Sequence, residues 1–331
     1  MGIVRLAVDA MGGDYAPAEI VAGAVRGARD FDLRLILVGD SGSIHKELNG
    51  ADTGVIDIEV VEAGDVIRME EDPALAVRTR PEASINVACR LVMEGRADGV
   101  LTMGHTGAGM IAALFNFGRI PGVERPAAIV PFLGLCDNLF LVDVGANTQV
   151  RPRHLLQFAL MGSAYARHAG GIPDPRVGLL SNGSEPNKGN KVGREAYKLL
   201  ESAKGLNFVG NVEGHSMLSG NFNVIVTDGF SGNLVFKAAQ GIIARLLSQV
   251  EAILPELPPD PASILREHLD KLREINHYSH YGASSLLGVL HPMFIGHGRS
   301  KSAAVYHGML TARRMIATNV VGKIQEALSV P

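Results

Sequence analysis

The sequence predicts an α/β fold organised around a largely parallel sheet. Short apolar runs at residues 3–8, 33–38, 56–61 and 99–103 indicate buried strands, and segments with helical spacing alternate with them. Several runs end in loops rich in glycine and polar residues, as the carboxyl ends of parallel strands often do. Hydrophobic residues make up 47% of the 331 positions, which is enough for a sizeable core.

Composition argues against several classes of function. The formal net charge of -3 gives no support for a nucleic-acid partner. Cys89 and Cys136 form no disulfide framework, and we expect a cytoplasmic protein. The first strand pattern begins without a signal-peptide pattern, and no apolar run approaches the roughly 18 residues of a membrane span. Cys89 lies among apolar neighbours of a helix predicted over 84–93, so we expect it to pack in the core.

The first strand leads into a loop that contains Asp9, Gly12, Gly13 and Asp14, and a helix is predicted to begin near Pro17. Glycine imposes little steric restriction on the backbone. The two glycines therefore either let the backbone approach a ligand closely or only form the turn.

A second loop of this kind contains Gly104, His105, Thr106 and Gly107 and follows the strand predicted over 99–103. Residues 107–112 formally match the dinucleotide pattern G-x-G-x-x-A, but no acidic residue closes the next predicted strand. A threonine hydroxyl and several backbone amides fit a phosphate at least as well. His105 is either a general acid or base or a hydrogen-bonded structural residue.

Further polar loops follow the strands predicted over 139–144, 177–180 and 224–227. The loop after 177–180 contains Lys188 and a second lysine before a helix predicted over 192–203, a pattern that favours an anion site but also occurs in ordinary connections. The recurrence of such loops predicts one shared cleft at the strand ends. The polar residues singled out in the three loops are Asn147, Asn182, Glu185, Lys188, Asp228, Ser231, Gly232 and Asn233.

Three segments depart from the alternation of strand and helix. Residues 70–81 are charged and irregular, and we expect a solvated linker, with a mobile flap as the alternative. Residues 236–276 form an amphipathic helical hairpin, which predicts a core or dimer contact or a tip that lies on a membrane. One long helix is predicted over 301–328.

Two histidines before this helix, His277 and His280, lack a third metal ligand nearby, and His297 lies in the last polar loop.

These motifs, in this order, resemble the bacterial phosphate acyltransferase (PlsX) family over nearly the whole chain. The resemblance rests on the runs at residues 8–14, 104–108, 143–147, 179–189, 208–214 and 228–233, with Tyr281, Gly282, residues 286–288, His297 and Gly298. Two departures stand out, since His105 replaces a more frequent Asn and Thr148-Gln149 replace a more frequent Val-Asp.

The resemblance implies a three-layer α/β/α sandwich with a mostly parallel mixed sheet, related to phosphotransacetylase and to isocitrate and isopropylmalate dehydrogenases. It implies a single catalytic unit over residues 1–331 that transfers a fatty acyl chain from acyl carrier protein to inorganic phosphate, for phospholipid synthesis. It further implies a cytoplasmic homodimer without metal or other cofactor, functionally coupled to a membrane glycerol-3-phosphate acyltransferase and able to contact the membrane peripherally. The rival interpretations are an NAD-dependent hydroxyacid dehydrogenase and a non-catalytic dimeric scaffold.

Under this resemblance, phosphate itself attacks the thioester, and no enzyme nucleophile is needed. Thr106 with the amides of Gly104 and Gly107 would cradle phosphate, and Lys188 with the loop from Asn182 would stabilise phosphate or the oxyanion. Ser231 and Asn233 would orient the thioester, and His105 or His297 would protonate the leaving thiol. The remaining predicted substrate contacts are Asp9, Gly12, Gly13, Asp14, Asn147, Glu185, Asp228 and Gly232.

Overall fold

The computed structural model describes residues 2–54, 56–132, 136, 138–276 and 282–329, with the side chains of 274–276 outside the description. The strands in these ranges are β1 Val4–Asp9, β2 Leu33–Gly39, β3 Ile58–Glu62, β4 Gly99–Thr102, β5 Ala127–Pro131, β6 Phe140–Val142, β7 Val177–Leu180, β8 Phe208–Val212, β9 Val224–Val226, β10 Ser284–Leu287 and β11 Met293–Ile295. The α-helices are α1 Ala18–Phe31, α2 Ser41–Leu48, α3 Pro73–Thr79, α4 Ser84–Met93, α5 Thr106–Asn116, α6 Pro152–His168, α7 Lys191–Glu201, α8 Gly229–Ile253, α9 Pro259–Asn276, α10 Ser302–Ala317 and α11 Val320–Leu328.

All described strands belong to one sheet with the order β3-β2-β1-β4-β11-β10-β5-β6-β9-β7-β8. The first five strands in that order are parallel, and so are the last four. Between them, β10 is antiparallel to β11 and β5, and β5 is antiparallel to β6. The two parallel groups therefore run in opposite directions. This confirms the predicted mixed, mostly parallel sheet.

Helices cover both faces of the sheet, as the predicted three layers require. Because strand side chains alternate between faces, Leu6 and Val8 of β1 pack with α1 and α10, whereas Ala7 packs on the side of α4. On the first face, one buried cluster extends from α1 and α10 to α6 and α7; we call this the continuous face. On the second, one cluster lies under α3 to α5 and another under α8; we call this the split face.

Several elements have the predicted bounds or lie close to them. The helix expected over 84–93 is α4, and its Cys89 is fully buried, which raises the pKa of the thiol and agrees with core packing. The expected hairpin consists of α8, a short 3-10 turn at Leu254–Glu256 and α9.

Two predictions about secondary structure were wrong. The segment 70–81 contains α3 rather than only linker, because the carboxylate of Asp72 accepts from the amide of Leu75, Pro73 occupies the first turn, and Ala76 and Val77 are buried. The helix expected over 301–328 is two helices, since Asn319 adopts a left-handed φ of 50° and its side chain caps α11.

Part of the predicted pattern, namely His277, His280 and Tyr281, lies outside the described residues. Among the described helices, none combines the length and the apolar character needed to cross a bilayer.

Candidate active site

The split face leaves a gap above the antiparallel centre of the sheet. Ala128 and Val130 of β5 and Ser284 and Leu286 of β10 line a cavity of about 220 Å³ there. Leu286 pairs directly with Ala128 across the two strands. Leu286 belongs to the buried cluster under α5, and Val130 belongs to the one under α8. The cavity therefore lies where the core of this face is interrupted, and we call it the cleft.

The first turn of α5 supplies one end of the cleft. Thr106 lines it, and His105 caps the helix with Nδ1, which accepts from the amide of Ala108 at 3.3 Å. A ring nitrogen that accepts this bond leaves the proton of the neutral imidazole on Nε2. Among the described residues, the amides of Thr106 and Gly107 have no hydrogen-bond acceptor. These two N–H groups and the positive end of the helix dipole suit an anion.

Asp9 stabilises the loop before α5 through a chain of hydrogen bonds. Its Oδ2 accepts from the hydroxyl of Thr102 at 2.8 Å, and that hydroxyl oxygen accepts from the amide of Gly104 at 3.0 Å. Burial raises the pKa of the Asp9 carboxyl. The amide of Gly104, which we expected to hold phosphate, is thus already bonded to protein. The expected substrate contact of Asp9 stays a prediction, because its side chain lies beneath the loop and outside the cleft lining.

Gly12 and Gly13 allow neighbouring loops to approach each other closely. A Cβ on Gly12 would lie 2.7 Å from Oδ2 of Asp9 and 2.8 Å from the amide nitrogen of Gly104. Gly13 has a φ of 109°, and the amide of Asp14 donates to the carbonyl of Gly298 at 2.8 Å. Both glycines thus allow close approach between protein loops, and the substrate contacts expected for Gly12, Gly13 and Asp14 stay predictions. The bond between Asp14 and Gly298 joins the first polar loop to the last one.

Asp143 organises the loop that contains Asn147. Its carboxylate accepts from the amides of Ala128, Gly145, Ala146 and Asn147 at 2.7–3.2 Å and from the side chain of Asn147 at 2.9 Å. Burial raises the pKa of Asp143, although these donors oppose the effect. A loop that resembles an anion nest is therefore filled by a carboxylate of the chain itself. Asn147 is a structural member of this network in the present structure.

The start of α8 forms the other end of the cleft. The carboxylate of Asp228 accepts from both the amide and the hydroxyl of Ser231, each at 2.8 Å, and thereby caps the helix. Position 232 requires glycine, because a Cβ there would collide with the carbonyl of Asp143. Asn233 and Lys237, one helical turn apart, line the cleft. Sequence reasoning missed Lys237, although its spacing of four residues from Asn233 was available as a signal.

His297 and two cations stand at the mouth of the cleft. Burial lowers the pKa of His297, and the charges of Arg299 and Lys237 lower it further. The imidazole is therefore neutral at pH 7, and it can accept a proton there. His297 was predicted from the last polar loop, whereas Arg299 in the same loop was not singled out.

A larger groove continues from the cleft. It has a volume of about 840 Å³ and shares Lys237 and His297 with the cleft lining. Its wall combines small and apolar residues with two further cations: Met69, Gln240, Gly241, Ile243, Ala244, Leu247, Gly298, Arg273 and Arg299. The volume lies within the range of small-molecule sites. Together the two cavities offer a polar end for an anion and a long apolar end.

The loop after β7 lies apart from both cavities. Oδ1 of Asn182 accepts from the amide of Gly189 at 2.9 Å, and the carbonyl of Glu185 accepts from the side chain of Asn211 at 2.7 Å. Lys188 is exposed, and its aliphatic stem packs on Gly183. None of these residues lines the cleft or the groove. The roles expected for Asn182, Glu185 and Lys188 thus stay predictions, and the expected shared cleft brings together Thr106, Asn233 and His297.

Three layers with a mixed sheet and a cleft over its antiparallel centre define a phosphotransacetylase-like fold. The EutD phosphotransacetylase from Staphylococcus aureus aligns with a TM-score of 0.61 over 94% of both chains at 16% identity. A phosphotransacetylase from Streptococcus pyogenes aligns with a TM-score of 0.60 at 15% identity, over 95% of this chain and 94% of that one. At such identities the similarity concerns the fold alone.

Sequence comparison places the chain in a family. It belongs to the family described as fatty acid synthesis protein, whose sequence profile matches residues 4–323. The phosphate acyltransferase of Thermus thermophilus is 44% identical over 328 residues, which cover 98% of this chain and 99% of the relative. The phosphate acyltransferase of a Geobacillus species is 42% identical over 330 residues, with 98% of each chain covered. The family expected from the ordered motifs is confirmed.

Proposed function

We propose that this protein transfers a fatty acyl group from acyl carrier protein to inorganic phosphate and releases an acyl phosphate. One observation carries the proposal: the cleft and the apolar groove meet at Lys237 and His297. A phosphate at the start of α5 and an acyl chain in the groove would thus bring the reacting atoms to these two side chains. The relatives named phosphate acyltransferase support phosphate as the acceptor.

The reaction balances without an enzyme nucleophile or an outside reactant. An oxygen of hydrogenphosphate attacks the thioester carbonyl carbon, and the new C–O bond gives a tetrahedral oxyanion. The oxyanion collapses, the C–S bond breaks, and the thiolate leaves. The proton of hydrogenphosphate ends on the thiol, whose pKa near 8.5 makes it a good leaving group.

The residues of the cleft support specific roles in this sequence. Thr106 and the free amides of α5 hold phosphate, with the Nε2 proton of His105 available nearby. Lys237 and the side-chain amide of Asn233 stabilise the oxyanion. Neutral His297 takes the proton from hydrogenphosphate and passes it to the thiolate. Lys188 keeps its proposed role only if the loop after β7 reaches the substrate.

The proposed donor and partners rest on charge and on exposed apolar surface. Lys237, Arg273 and Arg299 at the groove suit the phosphate of a carrier-bound prosthetic arm. The outer face of α8 and α9 exposes Phe230, Leu234, Ile242, Leu246, Ile253 and Ile264. We propose that a second copy of the chain covers these exposed apolar side chains, because exposed apolar patches often mark interfaces. Light scattering after gel filtration tests the dimer, and flotation with anionic vesicles tests the lipid alternative.

The proposed cellular setting follows from the product. Acyl phosphate released in the cytoplasm would supply a membrane glycerol-3-phosphate acyltransferase, and under the lipid alternative residues 236–276 would contact that membrane. Mixing the protein with that enzyme in vesicles and glycerol 3-phosphate should yield acylated glycerol phosphate only when both proteins are present. Product from the membrane enzyme alone would contradict the coupling.

The test of the activity is direct. Purified protein is mixed with palmitoyl-acyl carrier protein and phosphate, and acyl phosphate is trapped with hydroxylamine. We expect hydroxamate that requires phosphate and does not form when sulfate replaces it. No product from folded protein and intact donor would overturn the proposal. A thermal shift with NAD⁺ under those conditions would favour the dehydrogenase interpretation instead.

A further inference from the structure

The interior of α8 contains a glycine without a packing reason. Gly241 lies twelve residues after the first residue of this helix, far from either end. A glycine in a helix interior weakens the helix relative to alanine. Glycine is usually needed where another group approaches closely, but a Cβ built on Gly241 would have no heavy atom of the described residues within 4 Å. The space that a side chain would fill is therefore open.

That open space belongs to the groove. Gly241 and Ala244 line it together with Leu247, and Lys237 stands one turn before Gly241 where the groove joins the cleft. Residues 237, 241 and 244 are spaced by four and three, so their side chains lie along one face of α8. The exposed apolar residues Leu246 and Ile253 lie on a different stripe of the helix. α8 is therefore a wall of the groove on one face only.

We propose that Gly241 determines which acyl chains the enzyme accepts, because its missing side chain keeps the groove open to a long chain. The inference rests on the proposed acyl transfer. With a rise of about 1.5 Å per residue, Gly241 lies about 6 Å along the helix from Lys237, which is roughly five carbons of an extended chain. Long chains pass this point, whereas a four-carbon chain ends before it. A larger residue at position 241 therefore impairs the transfer of long chains more than the transfer of a four-carbon chain.

The experiment compares palmitoyl and butyryl donors on the same carrier. Gly241→Leu should lower kcat/KM for palmitoyl transfer by about 10-fold or more relative to butyryl transfer, since leucine fills the groove and is itself a strong helix former. Ala244→Leu, on the same wall, should act in the same direction. Ala238→Leu is the matched control, because Ala238 is exposed on α8 but lines neither cavity, and its ratio should stay within about 2-fold of the original protein.

The outcomes separate the inference from the function on which it rests. No acyl phosphate from the unmodified protein with either donor would remove the proposed function. Activity with an unchanged palmitoyl-to-butyryl ratio in folded Gly241→Leu and Ala244→Leu would overturn the inference alone. An equal loss for both donors would also overturn it, because the groove would then hold the part of the donor that both share. Melting temperatures at or above that of the original protein confirm that the variants are folded.

Discussion

Two glycines in helix interiors, one on each face of the sheet, have different surroundings. On the continuous face, a Cβ on Gly23 of α1 would lie 2.4 Å from the carbonyl oxygen of Ser302 and 2.6 Å from the Cβ of Val305 in α10. On the split face, Gly241 has open space beside it. Gly23 permits two helices to pack closely, and Gly241 leaves room that none of the described residues fills. Interrupted packing, rather than any single motif, therefore distinguishes the face that carries the candidate site.

The largest effect on stability is expected at the loop that contains Asp143 and Asn147, on the split face. Asp143→Ala should lower the free energy of unfolding by about 3 kcal/mol, because the buried amides of Ala128 and Asn147 lose their acceptor and each such loss costs about 1–3 kcal/mol. Urea denaturation measures the change. Asp228→Ala is the matched control, since it removes only a helix cap and should cost about 1 kcal/mol. Equal losses of unfolding free energy in the two variants would show that the Asp143 network stabilises the fold no more than a helix cap does.

Activity should depend on the split face alone. Lys237→Ala should lower kcat/KM for acyl phosphate formation about 100-fold, the scale of losing one contact to a developing oxyanion. Lys323→Ala on the continuous face, where Lys323 pairs with Glu326, should stay within about 2-fold. Steady-state kinetics under saturating phosphate make the comparison.

Lys188→Ala sharpens the same test. A loss as large as that of Lys237→Ala would bring the loop from Asn182 to Gly189 into the mechanism, as sequence reasoning expected. A change below a few-fold would remove Lys188 and leave the cleft with Lys237 as its catalytic cation.

Substitutions of Gly23 and Gly241 should change the free energy of unfolding by smaller amounts. Gly23→Ala should cost about 1–3 kcal/mol through overpacking against α10. Gly241→Ala should instead raise stability by about 0.5–1 kcal/mol, because it restores a better helix former without a clash. Denaturant titration of both variants gives the signs. Destabilisation by Gly241→Ala would contradict the open space on which the comparison rests.

The smallest expected effect is electrostatic. Lys237→Gln should raise the pKa of His297, because a nearby cation that disfavours protonation is removed, although burial as the main cause remains. Histidine NMR titration measures the shift, and Lys323→Gln should leave it unchanged. The folded pKa of His297 lies below its ordinary value of 6.5, so its contribution to stability is present above pH 6.5 and declines as the pH falls through the lowered folded pKa. Lys237→Gln should make that decline smaller.

Local patterns predicted the helices and the polar loops well, and α4 has the bounds expected from its apolar spacing. They did not predict which loops meet. The shared cleft was expected from the rule that parallel strands present their carboxyl ends at one edge. The antiparallel pairing of β10 and β5 reverses the second group of strands, and that pairing joins segments more than 150 residues apart. No local pattern contains that pairing, whereas the spacing of four residues between Asn233 and Lys237 was a local signal that sequence reasoning missed.

Asp143 has a consequence for how substrate binds. Its carboxylate acts as a built-in ligand for the amides at residues 145–147, so this wall of the cleft takes its shape when the chain folds. Arriving phosphate then meets a preorganised surface, and its binding carries no entropy loss for ordering that loop. It also means that added anions, even at high concentration, have no vacant donors to occupy in this loop. In the proposed mechanism, selectivity among anions is therefore left to the start of α5.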